Sequence, residues 1–452
     1  MPTDPWDYDE DLARQVLTWT EERLRRDPSP FTGARPRDEL EAAAGETVTE
    51  EGLGFDEAFR VFTDVLVPAT RAQDHPLNLA YIPNAPTEAA RLMDVVVSVS
   101  SIFGGVWEAG AGAIFAENQA LDWLRELAGF PESAGGCFVS GATVGTLSAL
   151  AAARAAAGPR PAGGWRLAAT SEAHASVRSD ARVLDVGVLE VPADEHGRLT
   201  GPALAAAVEG EDGVFAVVAS AGTTNAGVID DLAGVADVCG ARGIWLHVDG
   251  AYGGAALASP SARDRLAGIE RADSLVIDPH KWLFANYDCA ALLYRDPDQA
   301  ASVHAQHADY LDTVDRQVWN PADYAVHLTR RVRGLPFWFS LAVHGTAAYR
   351  DAVEAGLTMA REVADEVRSR PKLELVLEPD LSVVVLRRVG WGEAEYARWS
   401  GIHAMAGTWL VLPTRWQGEP VLRLCFLHPK TDLADIRRML DSLEVELPAP
   451  AA

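Results

Sequence analysis

The chain has 452 residues, 48% apolar and 23% charged, a globular composition with more length than one hydrophobic core usually serves, so a large domain with smaller appended parts is expected. Lys and Arg total 39 against 65 Asp and Glu, and the formal charge of −26 argues against nucleic acid as a partner. No apolar run of about 18 residues is available to span a bilayer, and four scattered cysteines without a CxxC pair suit reduced, buried thiols better than disulfides or a metal site.

The opening stretch MPTDPWDYDEDLAR is acidic where a secretory leader is basic and then apolar, which predicts a cytoplasmic location. Apolar spacing predicts helices over 9–26 and 56–66, and the Pro/Gly-bearing residues 27–41 read as the loop between them. Residues 1–85 are therefore expected to form a helical arm. From residue 86 the apolar runs CFVS, VFAVVAS, IWLHVD, SLVID and AALLY alternate with Ala/Leu-rich helices. Runs without polar alternation suit strands covered on both faces, so 86–345 is predicted to be a large α/β domain with a mostly parallel central sheet. Beyond it, a helix over 350–369, the runs SVVVLRR, WLVLP and VLRLCFL, and a last helix over 432–444 predict a small α+β domain spanning 346–452.

Three strand ends carry candidate chemistry. In SLVIDPHKWLFANYDC the strand ends at Asp278, with His280 and Lys281 in the turn beyond, where α/β sheets bind ligands. A lysine used as a nucleophile is expected in a partly desolvated site that lowers its pKa. In IWLHVDGAYGG the strand ends at Asp249, a carboxylate that either caps the next helix or faces a pyridinium nitrogen. In GGCFVSGATVGTLSALAAAR a Gly-rich turn leads to a helix expected to begin near Val144, whose N–H groups, with the Thr143 hydroxyl, suit a phosphate. His174 in TSEAHASV and Thr224 in ASAGTTNAG fit a flat anionic cofactor, or else serve local loop hydrogen bonding.

Taken in order, SGATVGTLSALAAAR, SEAHASV, AGTTNAG, HVDGAYGG and DPHKWLFANYDC resemble the pyridoxal 5′-phosphate (PLP)-dependent group II amino-acid decarboxylases, and the likeness runs from HPLNLAYIPNAP to VLRLCFLHP. The resemblance implies the type I PLP fold of aspartate aminotransferase and a homodimer with active sites at the subunit interface. It implies that Lys281 anchors the cofactor as a Schiff base, that Asp249 pairs with the ring nitrogen and that His174 stacks on the ring. Ala142, Thr143 and His280 are then expected around the phosphate, Ala251 against the ring, and Arg330 and Arg333 of RRVRGLPFWF near the site or the interface. Tyr310 matches the family's proton donor; relatives that are aldehyde synthases hold phenylalanine there, so tyrosine favours release of the amine.

The sequence departs from the family at Asp278, where asparagine is common and a carboxylate would repel a phosphate, and at Asn84, where a threonine is usual. Tyr81, Phe103 and Trp107, with Asn84, are expected near the substrate, and the aromatics favour an aromatic amino acid, although such residues also serve as plain core. The alternatives are another PLP reaction on the same scaffold, such as aldehyde synthesis, oxidative deamination or a lyase step, and a catalytically silent regulatory relative. The second is disfavoured by the presence of both Lys281 and Asp249. No metal is called for.

Overall fold

The computed structural model describes residues 6–25, 31, 33–71, 73–306 and 318–448. Seven strands form the main sheet: β1 Gly135–Val139, β2 Arg166–Ala169, β3 Gly187–Glu190, β4 Val214–Ser220, β5 Trp245–Asp249, β6 Ser274–Ile277 and β7 Ala290–Tyr294, in the order β1-β7-β6-β5-β4-β2-β3. β7 runs antiparallel to both its neighbours, and the other described pairings are parallel. Every residue of β4, β6 and β7 is buried, as uniformly apolar strands between two helical layers require. Successive side chains of β4 face opposite ways: Val217 joins one core cluster and Val218 the other.

The parallel register brings the carboxyl ends of three strands to one edge. Ser220 stands opposite Asp249, and Asp249 opposite Val276. Backbone bonds continue past the strands: Ala221 N–H donates to Asp249 O at 2.8 Å, Gly250 N–H to Val276 O at 2.9 Å and Asp278 N–H to Ala251 O at 3.1 Å. Residues that follow β4, β5 and β6 are thereby held within one short stretch of the sheet edge.

A second sheet, order β10-β11-β9-β8, is antiparallel and built from β8 Leu373–Leu375, β9 Val383–Arg388, β10 Pro413–Trp416 and β11 Glu419–Cys425. Its apolar side shares a core with Tyr396 and Trp399 of helix Glu393–Met405 and Ile436 and Leu440 of helix Leu433–Glu444. Tyr252, just after β5, bonds Ser382, just before β9, at 2.5 Å between hydroxyls, which links the two sheets. The helix expected at 350–369 is the second half of Leu335–Arg368, interrupted at Gly345 with φ 75°. Glycine is needed there because other residues are strained at that angle.

Several local expectations change. Helix Arg37–Ala44 begins inside the loop expected at 27–41 and runs past its end. WLVLP is not a strand of the small sheet: Leu410 pairs instead with the segment at 77–79, donating to Leu77 O at 3.0 Å and accepting from Leu79 N–H at 2.9 Å. The short strands β2, β3 and β8 lacked a sequence signal. Helix Glu10–Arg25 has no buried residue, whereas the helix expected at 56–66 is found as Phe55–Val61, continued by a π-turn over Phe62–Leu66. No helix among the described residues is long and apolar enough to cross a membrane.

Candidate active site

A cavity of about 290 Å³ opens at the sheet edge just described, lined among others by Ser140, Ala142, Thr143, His174, Ser220, Thr224, Asp249, Ala251, Asp278, His280 and Lys281. All the cofactor-binding residues expected from the sequence thus meet in one place. Asp249 is the last residue of β5, and its Oδ1 accepts the Ala251 N–H at 3.1 Å within the turn; the helix that follows, Gly253–Ala258, has no side-chain cap, so the capping reading of this carboxylate is not met. Burial pushes its proton affinity up, opposed by the nearby Lys281 ammonium.

Lys281 follows β6 in a tight turn, its N–H donating to Asp278 O at 2.9 Å. Its Nζ lies 2.9 Å from Asp278 Oδ2. The expectation of a lowered lysine pKa is corrected: burial does push it down, but the carboxylates of Asp278 and Asp249 outweigh burial and the net shift is upward. His280 takes the Cys289 N–H on Nδ1 at 3.1 Å, which leaves its proton on Nε2, 3.5 Å from Asp278 Oδ2. Burial keeps the imidazole neutral by lowering its pKa.

The phosphate-type turn is also corrected. Helix Ala142–Ala156 begins two residues earlier than expected, with Gly141 as N-cap and no side chain capping it. Ala142 and Thr143 are therefore first-turn residues, whose N–H groups lack intrahelical partners, and both residues line the cavity at the positive end of the helix dipole. His174 caps helix Ala175–Val183, its Nδ1 accepting the Ser176 N–H at 3.3 Å.

A second cavity of about 470 Å³ shares His174 and Thr224 with the first and is lined by Tyr81, Glu172, Asn225, Thr414 and Arg423. Arg423, on β11, is 6% exposed; it donates to Asn225 O at 3.2 Å and Tyr81 O at 2.5 Å, and its Nη2 has no hydrogen-bond partner. Sequence reading missed it, although a lone arginine in the apolar run VLRLCFL was the available signal. Tyr287, in the quoted lysine segment, was missed too: it lines the first cavity with its ring 4.9 Å from that of His280.

Of the residues expected at the substrate, Tyr81 alone lines one of these two cavities. Asn84 is 3% exposed and donates to His280 O at 2.8 Å and Ala285 O at 3.0 Å, bracing the lysine turn from behind. Trp107 starts helix Trp107–Leu127, its N–H bound to Asn320 Oδ1, and Phe103 packs beside Gly105; neither borders the two cavities. Arg330 is buried in a two-pronged pair with Glu117, both contacts 2.8 Å, and Arg333 binds Asp288 at 3.0 Å. Tyr310 lies outside the described residues.

These donors fit PLP: a lysine amine for the aldehyde, a buried carboxylate for the ring nitrogen and a helix N-terminus for the phosphate. The comparisons agree. The model of the pyridoxal-dependent decarboxylase conserved domain matches residues 38–389. An aromatic-L-amino-acid decarboxylase of Bacillus atrophaeus is 32% identical over 81% of this chain and 80% of its own length. An L-2,4-diaminobutyrate decarboxylase of Rhizobium meliloti is also 32% identical, over 82% and 77%. Catharanthus roseus tryptophan decarboxylase in complex with L-tryptophan superposes with a TM-score of 0.89 at 22% identity, covering 98% of this chain and 99% of its own. Rhodiola rosea 4-hydroxyphenylacetaldehyde synthase does so at 0.86 and 20%, covering 98% of each, so the fold alone does not distinguish amine from aldehyde. The chain belongs to the pyridoxal-dependent, group II amino-acid decarboxylase family and is a PLP-dependent carboxy-lyase with the type I fold.

Proposed function

We propose that the chain converts an aromatic L-amino acid to its amine and CO2, as a cytoplasmic homodimer. The observation that carries this reading is the convergence of Lys281, Asp249 and His174 on one cavity beside a helix N-terminus; the Bacillus relative supports the substrate class.

Bound PLP supplies an electron-accepting ring that takes up the electron pair left on Cα when the carboxylate departs. Lys281 Nζ would be the covalent anchor for the cofactor's aldehyde. Asp249 would keep a proton on the ring nitrogen, and the first-turn N–H groups of Ala142 and Thr143 would hold the phosphate. His174, which lines the cavity, would lie against the ring face. Arg423, with its free Nη2, orients the substrate's carboxylate by a charge-assisted hydrogen bond. Tyr310 returns the proton to Cα. Leu92, Val95, Val96 and Val99, exposed along helix Glu88–Ser100, support a second copy packed over that face.

A second reading, a substrate with a cationic side chain such as 2,4-diaminobutyrate, is favoured by Glu172. This carboxylate lines the larger cavity, and burial raises its pKa. Assaying the twenty amino acids, DOPA and 2,4-diaminobutyrate for CO2, amine, aldehyde and peroxide tests both. Amine from aromatic substrates is expected; amine from diaminobutyrate alone selects the second reading, and aldehyde with peroxide refutes simple decarboxylation.

A further inference from the structure

Lys281 is flanked by two carboxylates, although the ring nitrogen needs one. Asp278, the second, is 3% exposed, and its Oδ1 is buried without a partner while Oδ2 sits 2.9 Å from Lys281 Nζ. Its backbone is fixed on both sides, N–H to Ala251 O and C=O from Lys281 N–H, so amine and carboxylate share one tight turn. The other charged or titratable groups around Nζ are Asp249 from β5, His280 and Tyr287 from the lysine loop, and Cys425 from β11; His174 faces Asp249 across the cavity. Among the described residues, Asp278 is the carboxylate in direct contact with Nζ.

We propose that Asp278 is the counterion that keeps Lys281 protonated before the cofactor arrives, and so sets the pH at which this amine becomes a nucleophile. The inference rests on the cofactor site described above. An amine adds to a carbonyl carbon through a free lone pair, so the ammonium first releases one proton, and no other bond changes in that step. Desolvation alone favours the release; an ion pair at 2.9 Å opposes it. His280 brings no competing charge, because burial lowers its pKa, and its Nε2 lies 3.5 Å from the same carboxylate oxygen. A lysine that grips the sheet edge as an ammonium thereby captures the cofactor faster as pH rises.

The test mixes cofactor-free, full-length protein with PLP and follows the rate of visible-chromophore formation against pH. In the native chain the rate keeps climbing, about tenfold per pH unit, past pH ~9, because the ordinary lysine value is about 10.4. Asp278→Asn, which removes the charge and keeps the shape, moves the profile to lower pH by about one unit or more, since an opposite charge at this range is worth about one to three. Capture at a fixed pH below the midpoint then speeds up about tenfold. Asp278→Glu moves the profile back toward native. A native profile that levels off below pH ~9, or an Asp278→Asn profile superimposed on the native one, overturns the proposal; the native arm stands even if the variants do not fold. A native chain that forms no chromophore dependent on Lys281 refutes the cofactor site itself, a different result from an unshifted profile.

Discussion

Replacing Asn84 by alanine separates two roles for this residue. Its side-chain amide spans the backbone carbonyls of His280 and Ala285, at 2.8 and 3.0 Å, on either side of Lys281. Neither carbonyl has another hydrogen bond among those described, and Asn84 is 97% buried by its 3% exposure, so water does not readily replace the lost donor. A buried acceptor left unsatisfied costs about 1–3 kcal/mol. Two such acceptors, partly relieved because the already unpartnered Asn84 Oδ1 disappears with them, give about 2–4 kcal/mol. Chemical denaturation of the cofactor-free protein reads this loss, and a PLP titration reads the accompanying loosening of the lysine turn. The expected result is a lower denaturation midpoint and weaker PLP binding, with KM for the amino acid little changed in PLP-saturated enzyme. Unchanged stability combined with a large change in KM would refute the bracing role and restore Asn84 to the substrate wall.

Glu117→Gln breaks the buried two-pronged pair with Arg330 and is expected to destabilise the protein by about 3–5 kcal/mol, measured by denaturant titration, because a buried guanidinium is left uncompensated. His247 is fully buried between Thr146 and Ser274, and burial lowers its pKa to about 3. The unfolded chain, with a histidine near 6.5, therefore binds a proton more readily, and stability falls as pH drops from about 6.5 toward about 3. His247→Gln should flatten that part of the stability–pH curve; an unchanged slope contradicts the assignment. Tyr310→Phe should lose amine formation far more than cofactor binding, with aldehyde appearing in the presence of oxygen; undiminished amine output would mean that another group is the acid.

The sheet edge was legible because strong physical signals coincide there. A charged residue closing an apolar run, as Asp249 closes WLHVD, marks a strand end, and glycines ahead of an Ala-rich stretch mark a helix N-terminus. β2 and β3 were not legible, because four-residue strands such as RLAA and GVLE carry too little periodicity to stand out from the helices around them. Arg423 and Asn84 were misjudged for a related reason. What each touches comes from residues about 200 positions away, Asn225 and His280, and no local pattern encodes that contact. The lysine's raised proton affinity likewise follows from where two carboxylates meet, whereas burial alone predicts the opposite sign.

The central claim is that Lys281 is the amine that holds PLP. The chain has only three lysines, Lys281, Lys372 and Lys430, so borohydride reduction of the PLP-treated protein followed by peptide mass analysis gives a direct answer. The account predicts a stable PLP adduct on the peptide DPHKWLF, containing Lys281, and its absence from Lys281→Ala. An adduct confined to Lys372 or Lys430, or no adduct at all, would contradict it.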